Sequence, residues 1–184
     1  MRESTSLKKW VEAGYELFAY EGPNDIRVER LARILDLNKS SFYHYFGNID
    51  YFYKQVVALH AERSTWYIAD IQKCSDFDPD FLNVMVQHKM FILAHMQLVL
   101  NRHIPLFFET FQELSLKIDQ SILPLWSTFI GIPNQPKLAL QYFQQVRDMF
   151  FSRITVNTLE YPFLHTLAFD AKDIVLKMSN ERIA

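Results

Sequence analysis

The chain has 184 residues, 49% of them hydrophobic and 22% charged, with a formal net charge of −2. That balance excludes a disordered chain, and the slight acidity excludes a surface that is basic all over. The single cysteine, Cys74, excludes an intrachain disulfide and any zinc site with two cysteine ligands.

Only 4 glycines are present, too few for a strand-and-turn fold or a phosphate-cradling loop, so helices are expected throughout. No stretch approaches the roughly 18–20 continuous apolar residues of a membrane span. Met1 to Trp10 is polar, without a signal-peptide core. A cytoplasmic protein with no membrane partner is expected.

In chain order, Ser4, Thr5 or Ser6 caps a first helix in which Leu7, Trp10, Val11, Tyr15 and Phe18 recur at three- and four-residue steps. Gly22 and Pro23 end it. Asp25 caps a second helix with Val28, Leu31, Ala32 and Leu35 inward. The break is Leu35-Asp36-Leu37-Asn38, with Asp36 tolerable in a left-handed turn. Asn38 then caps a short third helix, about 38–45, with Phe42 inward. Asn48 caps a fourth, running from about Ile49 to Cys74. Further helices are expected at about 79–102, 105–122, 124–130, 136–158 and 163–180, with prolines 79, 105, 124, 136 and 162 at or near their starts.

Residues 28–46 thus read as helix, tight turn, short helix. That is the helix-turn-helix unit, whose second helix enters the major groove. Lys39, Ser40, Ser41, Tyr43, His44 and Tyr45 would face outward, and their types suit phosphate oxygens and base edges. An ordinary helical hairpin with a wet outer face has the same outline. Charge weighs for the first reading. Residues 26–49 carry Arg27, Arg30, Arg33 and Lys39 against Glu29 and Asp36, while residues 1–50 as a whole are slightly acidic.

Three elements at matched spacing carry a resemblance. They are Phe18-Ala-Tyr-Glu-Gly22, Leu31-Ala32, and Tyr43-His-Tyr-Phe46. With them, Trp10 to Phe52 resembles the DNA-binding head of TetR-type (TetR/AcrR) transcription regulators. The resemblance implies a phosphate-touching cap at Asn38, groove-facing Lys39 and Ser40, a phosphate-contacting Tyr43 with His44 and Tyr45 beside it, and a backbone contact at Arg27. The chain departs from the pattern twice. Asp36 replaces the turn glycine, and Ile49 replaces a lysine that usually opens the fourth helix.

The expected fold is all-α. A three-helix head at residues 1–48 precedes a helical body at 49–184 that binds an effector and dimerises. The resemblance assigns dimerisation to the last two long helices, with Leu140, Phe143, Val146, Phe150, Leu164, Leu167, Ile174 and Met178. Aromatic residues are 15% of the chain, and they gather near proline breaks, where helical proteins open apolar cavities. His88, Phe91, His95, Phe107, Phe111 and Trp126 are the candidate effector contacts, although rings at helical spacing also simply fill cores. His88 and His95 are seven apart, too far along one helix to hold a metal unaided. No metal, cofactor or catalytic constellation is expected.

Three functions remain open on these residues. The first is a DNA-binding regulator, a homodimer on double-stranded operator DNA, acting as a repressor released by an apolar or aromatic small molecule. The second is a helical interaction module with a degenerate head. The third is an enzyme with a helical cavity, disfavoured by the missing constellations.

Overall fold

Apolar side chains at helical spacing close the described chain, residues 2–181 of the computed structural model, into an all-α fold without strands. The helices are α1 (Arg2–Glu21), α2 (Val28–Leu35), α3 (Lys39–Phe46), α4 (Ile49–Ile71), α5 (Leu82–Gln87), α6 (Lys89–Leu100), α7 (Pro105–Phe129), α8 (Pro136–Arg153) and α9 (Tyr161–Glu181). They form two compact units. One holds the chain up to Thr65 together with Met90–Glu113, and the other holds Trp66–Lys89 and the chain from Leu114 onward. The three-helix head, α1 to α3, lies wholly in the first unit.

Within the head, α1 packs on α2 and α2 on α3. Trp10, Tyr15, Phe18, Leu31, Phe42 and Phe52 are wholly buried. Phe42 is the hub. Its ring lies 5.4 Å from Trp10, 4.9 Å from Phe46 and 5.1 Å from Phe52, in edge-on or tilted geometries that ring quadrupoles favour. The α2–α3 turn is made by Asp36 in the left-handed region at φ 52°, ψ 46°, as its short polar side chain tolerates. The Leu37 N–H then returns to the Ala32 carbonyl at 2.9 Å.

In the second unit, α9 packs against α5 and α8. Trp126 is wholly buried among Phe77, Phe129 and Phe143, and its indole N–H donates to the Ala139 carbonyl at 3.1 Å. Arg147 bridges from α8 to Asp119 on α7 at 2.5 Å. Burial pushes the Asp119 carboxyl up, against the pull of that guanidinium.

Several boundaries differ from expectation, each for a physical reason. The first helix starts at Arg2, ahead of Ser6; the side chains of Ser4, Thr5 and Met178 lie outside the described residues. Asp25 does not cap α2. It closes a 3₁₀ turn, Pro23–Asp25, after which buried Ile26 is extended and Arg27 takes the cap position. The helix expected at 79–102 is interrupted at His88 (φ −95°, ψ 27°), and a wider turn at Phe77–Phe81 precedes it. Pro124 does not start a helix, because α7 runs straight through it. Gln120, whose carbonyl loses its helical N–H there, is an exposed residue, on the side of the helix that solvent reaches. α8 stops at Arg153 because Ile154-Thr155-Val156 is a β-branched run. Ile154 is extended, and the Thr155 and Thr158 hydroxyls accept each other's backbone N–H at 2.8 and 3.2 Å.

Gly14 marks the close crossing of α1 and α4. A Cβ there would stand 2.2 Å from Cζ of wholly buried Phe52. Glycine to alanine in a helix ordinarily stabilises by about 0.5–1 kcal/mol. Here the sign reverses: Gly14→Ala is expected to destabilise by about 1–3 kcal/mol through overpacking. Urea denaturation of the two proteins measures it, and an unchanged or raised midpoint contradicts the crossing.

Candidate nucleic-acid interface

α3 has eight residues, and both its ends are tied down. The Asn38 side chain accepts the Ser40 N–H at 3.0 Å, and the Ser41 hydroxyl donates to the Asn38 carbonyl at 2.7 Å. At the other end the Gly47 N–H donates to Tyr43 O at 2.9 Å. Asn48 then caps α4 through the Tyr51 N–H at 2.9 Å. With Phe42 and Phe46 buried, the helical period puts Ser40 and His44 on the opposite face.

Lys39, Ser40, Tyr43 and His44 lie exposed on one short helix, with Asn38 at its start. Tyr43 is 53% exposed, its ring edge resting on Phe42 at 5.5 Å, so its hydroxyl is free to reach outward. Tyr45 is half-buried against His44 and Phe46. Arg27 stands exposed at the start of α2. The seven expected residues therefore sit on α3, its cap and the start of α2, with Tyr45 the least exposed. Ile49, in place of the expected lysine, is half-buried.

The electrostatics are more contained than the sequence implied. Lys39 Nζ lies 3.1 Å from a Glu29 oxygen. Arg30 forks both oxygens of Glu21 at 2.5 and 2.7 Å. Glu29 is held below the usual carboxylate range by its own backbone N–H and then by Lys39; Glu21 is held down by Arg30. Of the four cations between residues 26 and 49, Arg27 and Arg33 carry no ion pair among the described residues. Glu29 is the residue that reading the sequence missed here. Its partner across the turn depends on the angle between α2 and α3.

The effector candidates divide between the units. In the first, Phe91, His95 and Phe107 are buried and Phe111 is half-buried. Phe107 lies edge-on to Phe18 of α1 at 5.3 Å and to Tyr53 of α4 at 5.6 Å. His95 faces Phe111 at 5.1 Å. In the second unit, His88 Nε2 is 2.8 Å from Asp70, and Trp126 is buried as described. That unit also holds a cleft of about 260 Å³ lined by Ser75, Asp76, Phe77, Asp78, Pro124, Leu125, Thr128 and Phe129, none of them among the six candidates. Two residues not singled out, Tyr15 and His60, join His95 in a buried polar chain. Among the described residues no three His, Cys, Asp or Glu side chains are grouped to hold a metal, and no helix is long and apolar enough to cross a membrane.

Residues 11–56 match the family model for bacterial regulatory proteins of the tetR family. A solved structure, a transcriptional regulator of the "TerR/AcrR family" from Aquifex aeolicus VF5, superposes with a TM-score of 0.61 at 14% identity, covering 94% of this chain and 98% of that one. That likeness extends the fold assignment over nearly the whole chain. No curated protein matches in sequence.

The N-cap is testable on its own. Asn38→Ala removes the acceptor for the Ser40 N–H and is expected to cost about 1 kcal/mol of stability. Asn38→Ser should retain most of it. Equal stability of Asn38→Ala and wild type in urea titrations would mean the cap does not hold α3.

Proposed function

We propose that this chain, whose residues 11–56 match the tetR family model, is a homodimeric repressor of the TetR type. It would read operator DNA with α3 and leave it when an apolar or aromatic small molecule binds. The observation that carries the DNA reading is the face of α3. Lys39, Ser40, Tyr43 and His44 project from an element whose other face, Phe42 and Phe46, is anchored in the head. Phosphate contacts from Asn38, Tyr43 and Arg27 would set the register, and Lys39 and Ser40 would meet base edges.

A helix-turn-helix reader needs two half-sites about 34–36 Å apart, or a multiple of that, which a two-fold dimer supplies. On α9, Phe169, Ile174 and Leu176 are exposed, an apolar surface that a second copy would cover. For the effector, Phe107 is the best-placed ring, since it touches Phe18 and Tyr53 beneath the head. Phe91, His95 and Phe111 of the same unit stay with it as proposed contacts, and His88 and Trp126 are proposed contacts within the second unit. Such a ligand shifts DNA affinity by its differential affinity for the two states, typically about 1–3 kcal/mol, and operator DNA weakens the ligand by the same factor.

Selection from a random duplex library tests the reading. An enriched inverted repeat is expected, bound by a species of twice the chain mass in sedimentation. Failure to enrich any duplex would favour an interaction module with a degenerate head, and a monomer at micromolar concentration would overturn the dimer. On the enriched duplex, Tyr43→Ala should lose about 1–2 kcal/mol of binding, the scale of one hydrogen bond to a charged group, with unfolding unchanged. Glu29→Gln should bind more tightly at low salt, because Lys39 is released from its internal acid. Its log–log salt slope should steepen by up to about 0.9, one phosphate's share. A slope identical to wild type would mean Lys39 takes no part in the contact.

A further inference from the structure

The cleft of the second unit has no part in DNA contact, yet its walls are firmly built. It encloses about 260 Å³ between the loop that follows α4 and the C-terminal turns of α7. Three hydrogen bonds hold the loop. The Ser75 N–H donates to Asp80 Oδ2 at 2.9 Å, and the Phe81 N–H to the Asp76 carbonyl at 3.2 Å. The Tyr161 hydroxyl, from α9, donates to Asp78 Oδ1 at 2.7 Å. On the α7 side, the Thr128 hydroxyl donates to the Pro124 carbonyl at 3.0 Å, so its one hydrogen is taken.

Apolar contact in the cleft comes from Phe77, Leu125 and Phe129. The rings are fixed. Phe77 is 7% exposed and stacks on Phe129, with centroids 4.7 Å apart and planes at 22°. It is braced by Trp126 at 5.3 Å and Phe81 at 5.0 Å. Walls already ordered in this way spare a ligand the cost of arranging them. Size narrows the ligand further. Benzene fits a cavity of about 150 Å³, and drug-sized ligands take roughly 300 Å³ or more. The volume here therefore suits one ring with a short side chain.

Charge decides what that side chain carries. The charged residues lining the cleft are both acids. Asp76 is exposed, and its carboxylate has no ion pair or hydrogen bond among the described residues. Asp78 is half-buried; one oxygen accepts from Tyr161, and the other lies 3.6 Å from His165 Nε2. The α7 wall adds no charge. The cations of the neighbouring elements stand outside the cleft. Lys73, just after α4, is paired with Asp70 at 2.6 Å. On α9, His165 stacks on Phe169 with centroids 4.5 Å apart, and the Lys172 ammonium lies 4.6 Å over the Phe129 ring. An anion would meet two carboxylates here, and a neutral ring would gain the apolar walls alone. An ammonium on a ring gains both.

We propose that this cleft binds a small organic cation: one aromatic ring bearing an ammonium group on a short chain. The ring lies against Phe77, Leu125 and Phe129, and the ammonium donates to the carboxylates of Asp76 and Asp78. An ammonium has donors only and a carboxylate acceptors only, so the pairing leaves no mismatch. The site lies wholly within the second unit, whereas the Phe107 rings belong to the first. It is a separate site, and it does not rest on the DNA-binding reading.

Backbone ¹H–¹⁵N correlation spectra of the full chain, at neutral pH and low salt, test it with three probes that share a ring and differ in charge. They are 2-phenylethylammonium, 2-phenylethanol and phenylacetate. The ammonium should shift the amides of residues 75–78 and 125–129, with a dissociation constant on the order of 1 mM, as expected of so small a ligand. 2-Phenylethanol should bind at least about fivefold more weakly, the upper worth of one exposed ion pair, and phenylacetate should shift nothing in the cleft. Asp76→Asn, a change at an exposed side chain without a partner, should weaken the ammonium by about two- to fivefold. Thr128→Trp, at an exposed position of α7, should fill the cleft and remove the shifts, with the urea midpoint showing that the fold is kept. Equal affinities for the ammonium and the alcohol overturn the cation selectivity, and so does an Asp76→Asn protein that binds like wild type. Shifts confined to other residues, or surviving in folded Thr128→Trp, overturn the site. No shift at a concentration about tenfold above the expected constant overturns the proposal whole.

Discussion

The outward face of α3 depends on where Phe42 goes. An eight-residue helix does not hold itself together in water, so its tertiary anchor decides whether it exists. Phe42 sits wholly buried between Trp10 of α1 and Phe52 of α4, with Phe46 one turn further on. Burying such a ring is worth about 1.5–3 kcal/mol, and emptying the site costs more because a cavity remains. The same packing selects the exposed residues. Once positions 42 and 46 point inward, 40 and 44 fall on the opposite face, while Lys39 and Tyr43 flank the buried rings and remain exposed. The polar surface offered to a partner is in this sense a by-product of ring packing beneath it.

Charge in the head is arranged to hold the head together as much as to attract an anion. Arg30 ties the end of α1 to α2 through Glu21, and Lys39 ties α3 to α2 through Glu29. Both pairs are exposed and sensitive to salt. A chain with net charge −2 thus presents a small, partly self-neutralised basic surface. Discrimination by shape and hydrogen bonding would then weigh more than bulk attraction. Exposed Tyr43 fits that balance, since it brings a donor without a charge.

Much of the head was legible because its rules are local. Helical spacing placed α1 to α4, and the chemistry of small polar residues placed the caps at Asn38 and Asn48 and the left-handed Asp36. What escaped depends on contacts distant in sequence. His60 continues an inward stripe with Phe52 and Val56 at four-residue steps, so a histidine on an apolar face was the available signal. Its partners come from α1 and α6, and neither can be read from α4. The Glu29–Lys39 pair needs the interhelical angle. A local rule puts a helix start at Pro124, yet α7 continues through it, with Gln120 one turn before on the exposed side. The break at His88 has no glycine or proline to announce it. Effector residues were the least legible, because a ring lining a cavity and a ring filling a core have the same spacing in sequence.

Trp10 gives the head an optical reporter of its own. Its indole is wholly buried against Phe42, and the ring N–H has no hydrogen-bond partner among the described residues. An indole in so apolar a shell emits toward the blue and is shielded from collisional quenchers. Trp66, 56% exposed on α4, emits to the red and is open to them. Trp126 is also buried, in the second unit, but its N–H is bonded to a carbonyl. The three fluorophores differ in solvent access or in hydrogen bonding, so iodide silences the surface one first. The loosening of α3 from its seat then becomes visible as a red shift of the remaining light, in the native chain and without a label.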